Sequence, residues 1–284
     1  MWANAAFMTI QPGDTVLLTG ASGGLGRFIA RAFVDYKVRQ VLVAHPGATL
    51  DELQKEIEQR GGEATIIVSD LREADQRRHL LLEAKRRMGP IDILINNAGV
   101  EFTSVYHELS EENIYETLRV NLEAPMILSR LLLPEMLERK RGYIVNMSSL
   151  AGKSGPAFQE PSAATKAGLI SFTSSLRATY RGSGVSASAI VPGFVEAGIY
   201  AKLKAKSGCS APALIGTSLP EAVPRAVIRA IQNDLPEIIV NPLPVRPLLA
   251  LISLFPSWGE WAADKVGTND FFRRVAEALK RNRA

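Results

Sequence analysis

The chain has 284 residues, 46% of them hydrophobic, and a formal charge of +4, enough to bury a large core as one α/β domain or two small ones. Its 33 Lys and Arg are scattered through helical stretches, with no dense basic run or interleaved aromatics, which favours a solvated surface over nucleic-acid binding. The single cysteine, Cys209, excludes an internal disulfide framework and a cysteine-rich zinc site and suits a reducing cytoplasm, while His45, His79 and His107 lack metal-ligand spacing, so no metal is expected.

Residues 1–10 are apolar, lack a basic n-region and run straight into a first strand; they read as a lead-in strand and not a signal peptide. No uninterrupted apolar run reaches the ~18 residues of a membrane span. Strand-like runs follow at 15–18, 41–44, 64–68, 91–95, 143–147, 185–191 and 237–240. Helical periodicity lies between them at 27–33, 50–60, 73–88, 111–139, 162–180 and 220–233. This alternation predicts a doubly wound α/β fold, a parallel seven-stranded sheet with helices on both faces and right-handed crossovers. A single Rossmann-like domain over 1–240, with 241–284 as its C-terminal helical extension, is the economical reading.

Between the first strand and first helix lies Thr19-Gly20-Ala21-Ser22-Gly23-Gly24-Leu25-Gly26. That order suits a nucleotide pyrophosphate: Gly20, Gly24 and Gly26 permit close backbone approach, and the helix N-terminus offers N–H groups and a positive dipole end. For this stretch alone, a tight turn that binds nothing is the alternative. Sheets of this kind bind ligands beyond the carboxyl ends of their strands. Small or polar residues gather at four more such ends: Ser69-Asp70-Leu71, Asn96-Asn97-Ala98-Gly99, Ser148-Ser149-Leu150 and Pro192-Gly193-Phe194. Each alone could be a local turn; together they favour a ligand.

With TGASGGLG at 19–26, Asp70, NNAG at 96–99, Asn121 in Val120-Asn121-Leu122, Ser149, Lys166 and Pro192-Gly193, residues 13–240 resemble the short-chain dehydrogenase/reductase family. The resemblance implies hydride transfer between a nicotinamide and a carbonyl or alcohol carbon. It implies a dinucleotide held by Gly20, Ser22, Gly24, Leu25 and Gly26 at the phosphates and by Asp70 and Leu71 at the adenine. Asn96, Asn97, Ala98 and Gly99 would run along the ribose, with Lys166, Pro192, Gly193 and Val195 at the nicotinamide end. Asn121 would hold a relay water in a distorted helical turn, Ser149 would position the substrate carbonyl, and Lys166 would lower the pKa of a neighbouring phenol.

That phenol is missing. The family's tyrosine stands four residues before the lysine, and that position is Ser162. An aliphatic hydroxyl is a much weaker acid, and its oxygen stops roughly 4 Å short of a phenol's. Losing a general acid costs ~10²–10⁴ in rate, so Ser162 implies impaired catalysis. Three explanations stand: a variant disabled at this position, a natural enzyme using a water relay or another acid, or a dinucleotide-binding regulatory or scaffold protein without catalysis. Tyr106, Tyr143, Tyr180 and Tyr200 miss the motif position and read as packing or surface residues, with Tyr200 near enough to the substrate loop to enter the pocket.

After the second strand, Ala44-His45-Pro46 offers no acidic residue for a ribose 2′-hydroxyl, and His45 could touch a 2′-phosphate, so NADP is favoured over NAD. Residues 194–217 lack regular pattern and read as a substrate-binding lid, with Ala197 where the family often has a carboxamide-contacting threonine. Val100, Phe102, Leu150, Phe158, Phe194 and Ile199 would form apolar pocket walls, pointing to a hydrophobic ketone, aldehyde or secondary alcohol. In 241–284, an apolar run at 248–255, Trp258, Trp261 and a basic last helix suggest extra cover for the domain or a subunit contact; a roof over the pocket or peripheral membrane contact are the sharper alternatives. The resemblance implies a homodimer or homotetramer through helices 111–139 and 162–180.

Overall fold

The structure, a computed structural model, describes residues 8–282. In chain order its elements are β1 (Thr15–Thr19), α1 (Gly24–Phe33), β2 (Arg39–Ala44), α2 (Asp51–Gln59), β3 (Glu63–Val68), α3 (Ala74–Met88) and β4 (Ile93–Asn96). There follow α4 (Glu111–Leu118), α5 (Ala124–Glu138), β5 (Gly142–Met147), α6 (Ala151–Ser154), α7 (Glu160–Thr179), β6 (Val185–Pro192), α8 (Gly198–Ser207), α9 (Ala222–Gln232) and β7 (Glu237–Val240). Three helices close the chain: α10 (Arg246–Leu254), α11 (Pro256–Val266) and α12 (Thr268–Arg281).

The strands form one parallel seven-stranded sheet in the order β3-β2-β1-β4-β5-β6-β7, as the alternation predicts. The chain runs outward from β1 to β3 and then returns to pair β4 against β1. The strand order therefore reverses between β1 and β4, which is where open α/β sheets leave a crevice. Alternate side chains go to opposite faces. Val16 and Leu18 bury with Phe33 of α1, Ile57 of α2 and Val227 of α9; Leu17 buries with Leu80 of α3 and Leu132 of α5. Burial on both faces is why these strands read as unbroken apolar runs.

Three expectations change, and one element is added. Residues 1–7 of the lead-in strand lie outside the described residues, and Met8 enters the core from a segment without strand pairing. The helix expected at 111–139 is α4 and α5 joined through a π turn, Arg119–Glu123. The segment 194–217 is not patternless, since it contains α8. A short helix, α6, follows β5. Among the described residues no helix is long and apolar enough to cross a membrane.

Candidate active site

At the carboxyl end of β1 the chain turns through glycines into α1. No side chain caps the α1 N-terminus, so its first N–H groups and positive dipole end face the adjoining cavity, which Ser22, Gly24, Leu25 and Gly26 line. Gly26 has no room for a side chain: a Cβ there would lie 2.3 Å from Gly20 O. Gly24 meets the start of α8, with a Cβ position 2.3 Å from Gly198 N. The turn is tied to β4 by Asn97, whose Nδ2 donates to Thr19 O (3.0 Å) and Gly20 O (3.1 Å), while Thr19 Oγ1 accepts the N–H groups of Asn97 and Ala98.

One wing of the cavity lies beyond β2 and β3, lined by Ala44, His45, Asp70, Leu71 and Arg72. Arg72 forks onto Asp70, with Nη2 2.6 Å from Oδ2 and Nε 3.0 Å from Oδ1. That guanidinium holds the Asp70 carboxyl below the usual carboxylate range against the opposing effect of burial. His45 Nε2 is 4.0 Å from Asp70 Oδ2, and its Nδ1 is 2.8 Å from Pro46 O. Sequence reasoning passed over Arg72, although a basic residue two positions after a strand-end aspartate was a signal for this fork.

The other wing lies beyond β4, β5 and β6. Ser149 follows β5, and Ser162 and Lys166 sit one turn apart on α7; all three line the cavity. Ser148 Oγ donates to Lys166 O at 2.8 Å and fixes α7 against the end of β5. Lys166 is buried, and its Nζ donates to Met147 O at 2.8 Å. Burial brings its ammonium down to about 8, with the Glu101 carboxyl opposing the shift. Asn121 is buried in the π turn, which interrupts the α-helical ladder. Its side-chain amide clamps Val100, accepting the Val100 N–H at 2.9 Å and donating to Val100 O at 2.9 Å. Glu101, the next residue, also lines the cavity and accepts hydrogen bonds from Gln159 Nε2 (2.7 Å) and Thr103 Oγ1 (3.1 Å). Burial pushes its carboxyl above the usual range, against those two donors and the Lys166 charge.

The two wings are one cavity of about 780 Å³, within the size range of ligand pockets. Of the residues singled out from sequence, Gly20, Asn97, Ala98, Gly99, Pro192, Gly193 and Val195 line it, as do Val100, Leu150, Phe194 and Ile199. Three do not. Asn96 turns inward, donating to Asn146 Oδ1 at 2.8 Å. Phe102 lies outside the lining. Phe158 also lies outside it, packing against a small apolar cluster of Tyr200, Phe271, Phe272 and Val275. Asn121 holds the Val100 loop without lining the cavity itself. The C-terminal extension roofs the cavity with Leu248, Leu249 and Ile252 of α10, Ala262 and Val266 of α11, and Phe272 of α12. Tyr200 lines the cavity from α8, its oxygen accepting the Ala211 N–H at 3.0 Å. Tyr143 is a packing residue, buried, with its hydroxyl donating to Ala230 O at 2.8 Å.

The family model described as short chain dehydrogenase matches residues 14–208. Among curated proteins, the ketoacyl reductase HetN of Nostoc sp. is 42% identical over 275 residues, covering 95% of each chain. The 3-oxoacyl-(acyl-carrier-protein) reductase FabG of Thermotoga maritima is 30% identical over 195 residues, 69% of this chain and 79% of that one. A crystal structure of a metagenomic short-chain oxidoreductase in complex with NADP superposes with a TM-score of 0.70 at 31% identity, covering 83% of this chain and all of that one (100%). An actinorhodin polyketide ketoreductase with NADPH gives a TM-score of 0.74 at 27% identity over 80% of this chain and 95% of that one. The glycine turn into an uncapped helix, the π turn at Asn121 and the Ser149–Lys166 wing thus occur in a chain that belongs to the short-chain dehydrogenase family of oxidoreductases.

Proposed function

We propose that this chain is an NADP-dependent reductase of hydrophobic ketones, with the ketone of an acyl chain as the favoured substrate class. The observation that carries the reading is one continuous cavity with an open helix N-terminus at one wing, Ser149 and Lys166 at the other, and an apolar roof above. The residues fit a dinucleotide: the glycine turn leaves no side chain between the cavity and the α1 N–H groups, as a pyrophosphate requires. NADP is supported by the absence of a carboxylate at the end of β2 and by the NADP and NADPH in the two solved relatives. The acyl substrate is supported by the ketoacyl reductases among the relatives and by the apolar side chains of α10 and α11 over the cavity.

In this reading Ser22, Gly24, Leu25 and Gly26 would hold the phosphates, Asp70 and Leu71 the adenine, and Lys166, Pro192, Gly193 and Val195 the nicotinamide ribose and ring. The reduced nicotinamide supplies the hydride when bound. Ser149 would donate to the substrate carbonyl oxygen, and the Lys166 ammonium would stabilise negative charge developing there. Lid helix α8 and the roof would exclude water. Half-exposed Tyr115, Leu118 and Met126 on α4 and α5 support a homodimer or homotetramer through these helices and α7. Exposed Leu254, Phe255 and Trp261 support peripheral membrane contact by the extension.

Ser162 favours one second reading, dinucleotide binding without turnover. Ser162→Tyr separates the two. Under the reductase reading this variant binds NADPH and reduces a panel of 3-oxoacyl thioesters and long-chain ketones. A folded, NADPH-bound Ser162→Tyr chain that turns over none of them gives the binding reading the lead.

A further inference from the structure

Glu101 is a carboxyl that neither phosphate binding nor carbonyl polarisation requires. Its backbone is held close to the π turn, because Asn121 grips both polar atoms of Val100. Its side chain lines the same cavity as Ser149, Ser162 and Lys166. Two neutral donors reach it, Gln159 Nε2 at 2.7 Å and Thr103 Oγ1 at 3.1 Å, and both reach the same oxygen, Oε1. Gln159 and Thr103 are themselves buried, Gln159 at the N-cap of α7. With both donors on Oε1, Oε2 is the oxygen left to carry a proton when the carboxyl is neutral. From α7 the charged group facing Glu101 is Lys166; Thr103 from its own loop and Gln159 are neutral. Removal from water favours the neutral, proton-bearing form.

We infer that Glu101 is the proton donor of this chain, delivering from Oε2 the proton that a tyrosine at position 162 delivers elsewhere in the family. The inference rests on the reductase reading above. In the balanced step the carbonyl carbon receives a hydride from the reduced nicotinamide and the C=O π pair moves onto oxygen. That oxygen takes the proton as the Oε2–H bond breaks. The products are the secondary alcohol, the oxidised dinucleotide and the Glu101 carboxylate. The Lys166 ammonium and the Gln159 and Thr103 donors stabilise that carboxylate until a solvent proton restores the acid. Tyr200, the phenol lining the cavity, is placed otherwise: its oxygen accepts from Ala211 N and its ring packs 5.2 Å from Phe194 on the lid side.

The test compares the full chain with Glu101→Gln, Ser162→Tyr and the double variant. Glutamine preserves the shape and the Oε1 acceptor and removes the acidic proton. We expect every form to bind NADPH in a fluorescence titration. Glu101→Gln lowers the ketone reduction rate by ~10²–10⁴ and leaves in its pH profile only the alkaline fall set by loss of the Lys166 ammonium at about 8, and adding Ser162→Tyr to it restores turnover. Without any substrate, ¹³C NMR of glutamate-labelled chain, assigned by difference from Glu101→Gln, shows this carboxyl titrating above the ordinary carboxylate range. Three results overturn the inference: Glu101→Gln reducing ketones at the unsubstituted rate, an unsubstituted chain idle where Ser162→Tyr turns over, or a Glu101 resonance titrating in the ordinary range. In each of these, turnover by Ser162→Tyr leaves the reductase reading standing. If no form bound either dinucleotide, the reductase reading would fall and the inference with it.

Discussion

Helix α8 is seated on the glycine turn backbone against backbone, and Gly24→Ala tests what that seat does. The new Cβ would lie 2.3 Å from Gly198 N and 2.8 Å from Gly198 Cα. Ordinary contact begins at 3.4 Å, so the start of α8 must retreat by about 1.1 Å. Gly198 is a poor place to absorb the shift, because its φ of +62° already lies in the left-handed region and its own Cβ position is 3.5 Å from Leu25 Cγ. Helix α1 should not suffer, since alanine is about 1 kcal/mol better than glycine inside a helix. The cost therefore falls on the lid, which brings Ile199, Tyr200, Lys202 and Leu203 to the cavity. A misplacement of about 1 Å costs ~10² in rate, or about 2.7 kcal/mol of barrier. The expected result is a weakened NADPH Kd by fluorescence titration and a ~100-fold loss in kcat/KM, with a Tm within a few degrees of the parent by calorimetry. An unchanged Kd and kcat/KM would refute the idea that the lid is positioned by this contact.

Three further outcomes follow from the geometry. Burial lowers the Lys166 ammonium to about 8, so between about pH 8 and the ordinary lysine value of about 10.4 the unfolded chain binds the extra proton and stability rises with pH. Urea unfolding of the parent relative to Lys166→Met should show that relative stability growing across this window; a decline contradicts the burial argument. His45→Asp places a carboxylate where a 2′-phosphate would lie. Replacing a charged hydrogen bond worth about 1.5–3 kcal/mol with repulsion should weaken NADPH binding by ~10–100-fold or more and favour NADH; an unchanged preference counts against NADP recognition at this strand end. Phe271 is fully buried, with its ring 5.1 Å edge-on to Phe194. Phe271→Ala should cost about 3–5 kcal/mol in the stability of the C-terminal packing, read as faster hydrogen exchange in α12 and a lower Tm; a loss below about 1 kcal/mol would mean that α12 is held by other contacts.

What could be read from the sequence is what the chain does locally. The sheet was legible because strands buried on both faces appear as apolar runs, and β5 is buried at every position. The glycine turn was legible as a turn because its glycines are demanded by neighbours a few residues away, as Gly26 is by Gly20 O. Helix α8 was not, because it begins on glycine and buries only Tyr200, so no apolar stripe marks it. Nor could the sequence separate Asn96 from Asn97, identical side chains that the end of β4 sends in different directions, one to Asn146 and one to the glycine turn. Phe158 looked like a pocket wall because its true neighbours, Phe271 and Phe272, lie far along the chain in a segment with no assigned place.

Glu101 carries this distinction into the chemistry. In the sequence it is one loop carboxylate between two apolar residues, and a loop carboxylate is ordinarily solvated and ionised. Beside the nearby Thr103 hydroxyl, its character changes through residues remote in the chain: Gln159, 58 positions away, supplies a donor at 2.7 Å, and Asn121, clamping Val100, fixes the backbone beside it. Those partners select which oxygen accepts and which is left to hold a proton. The serine at position 162 could be located by counting from Lys166, and counting alone says that an acid is missing. Locating a replacement needs the fold, because the replacement stands in the loop after β4 whereas the residue it replaces stands on α7, which Ser148 ties to the end of β5. The two positions face one cavity only because β4 and β5 are adjacent in the sheet.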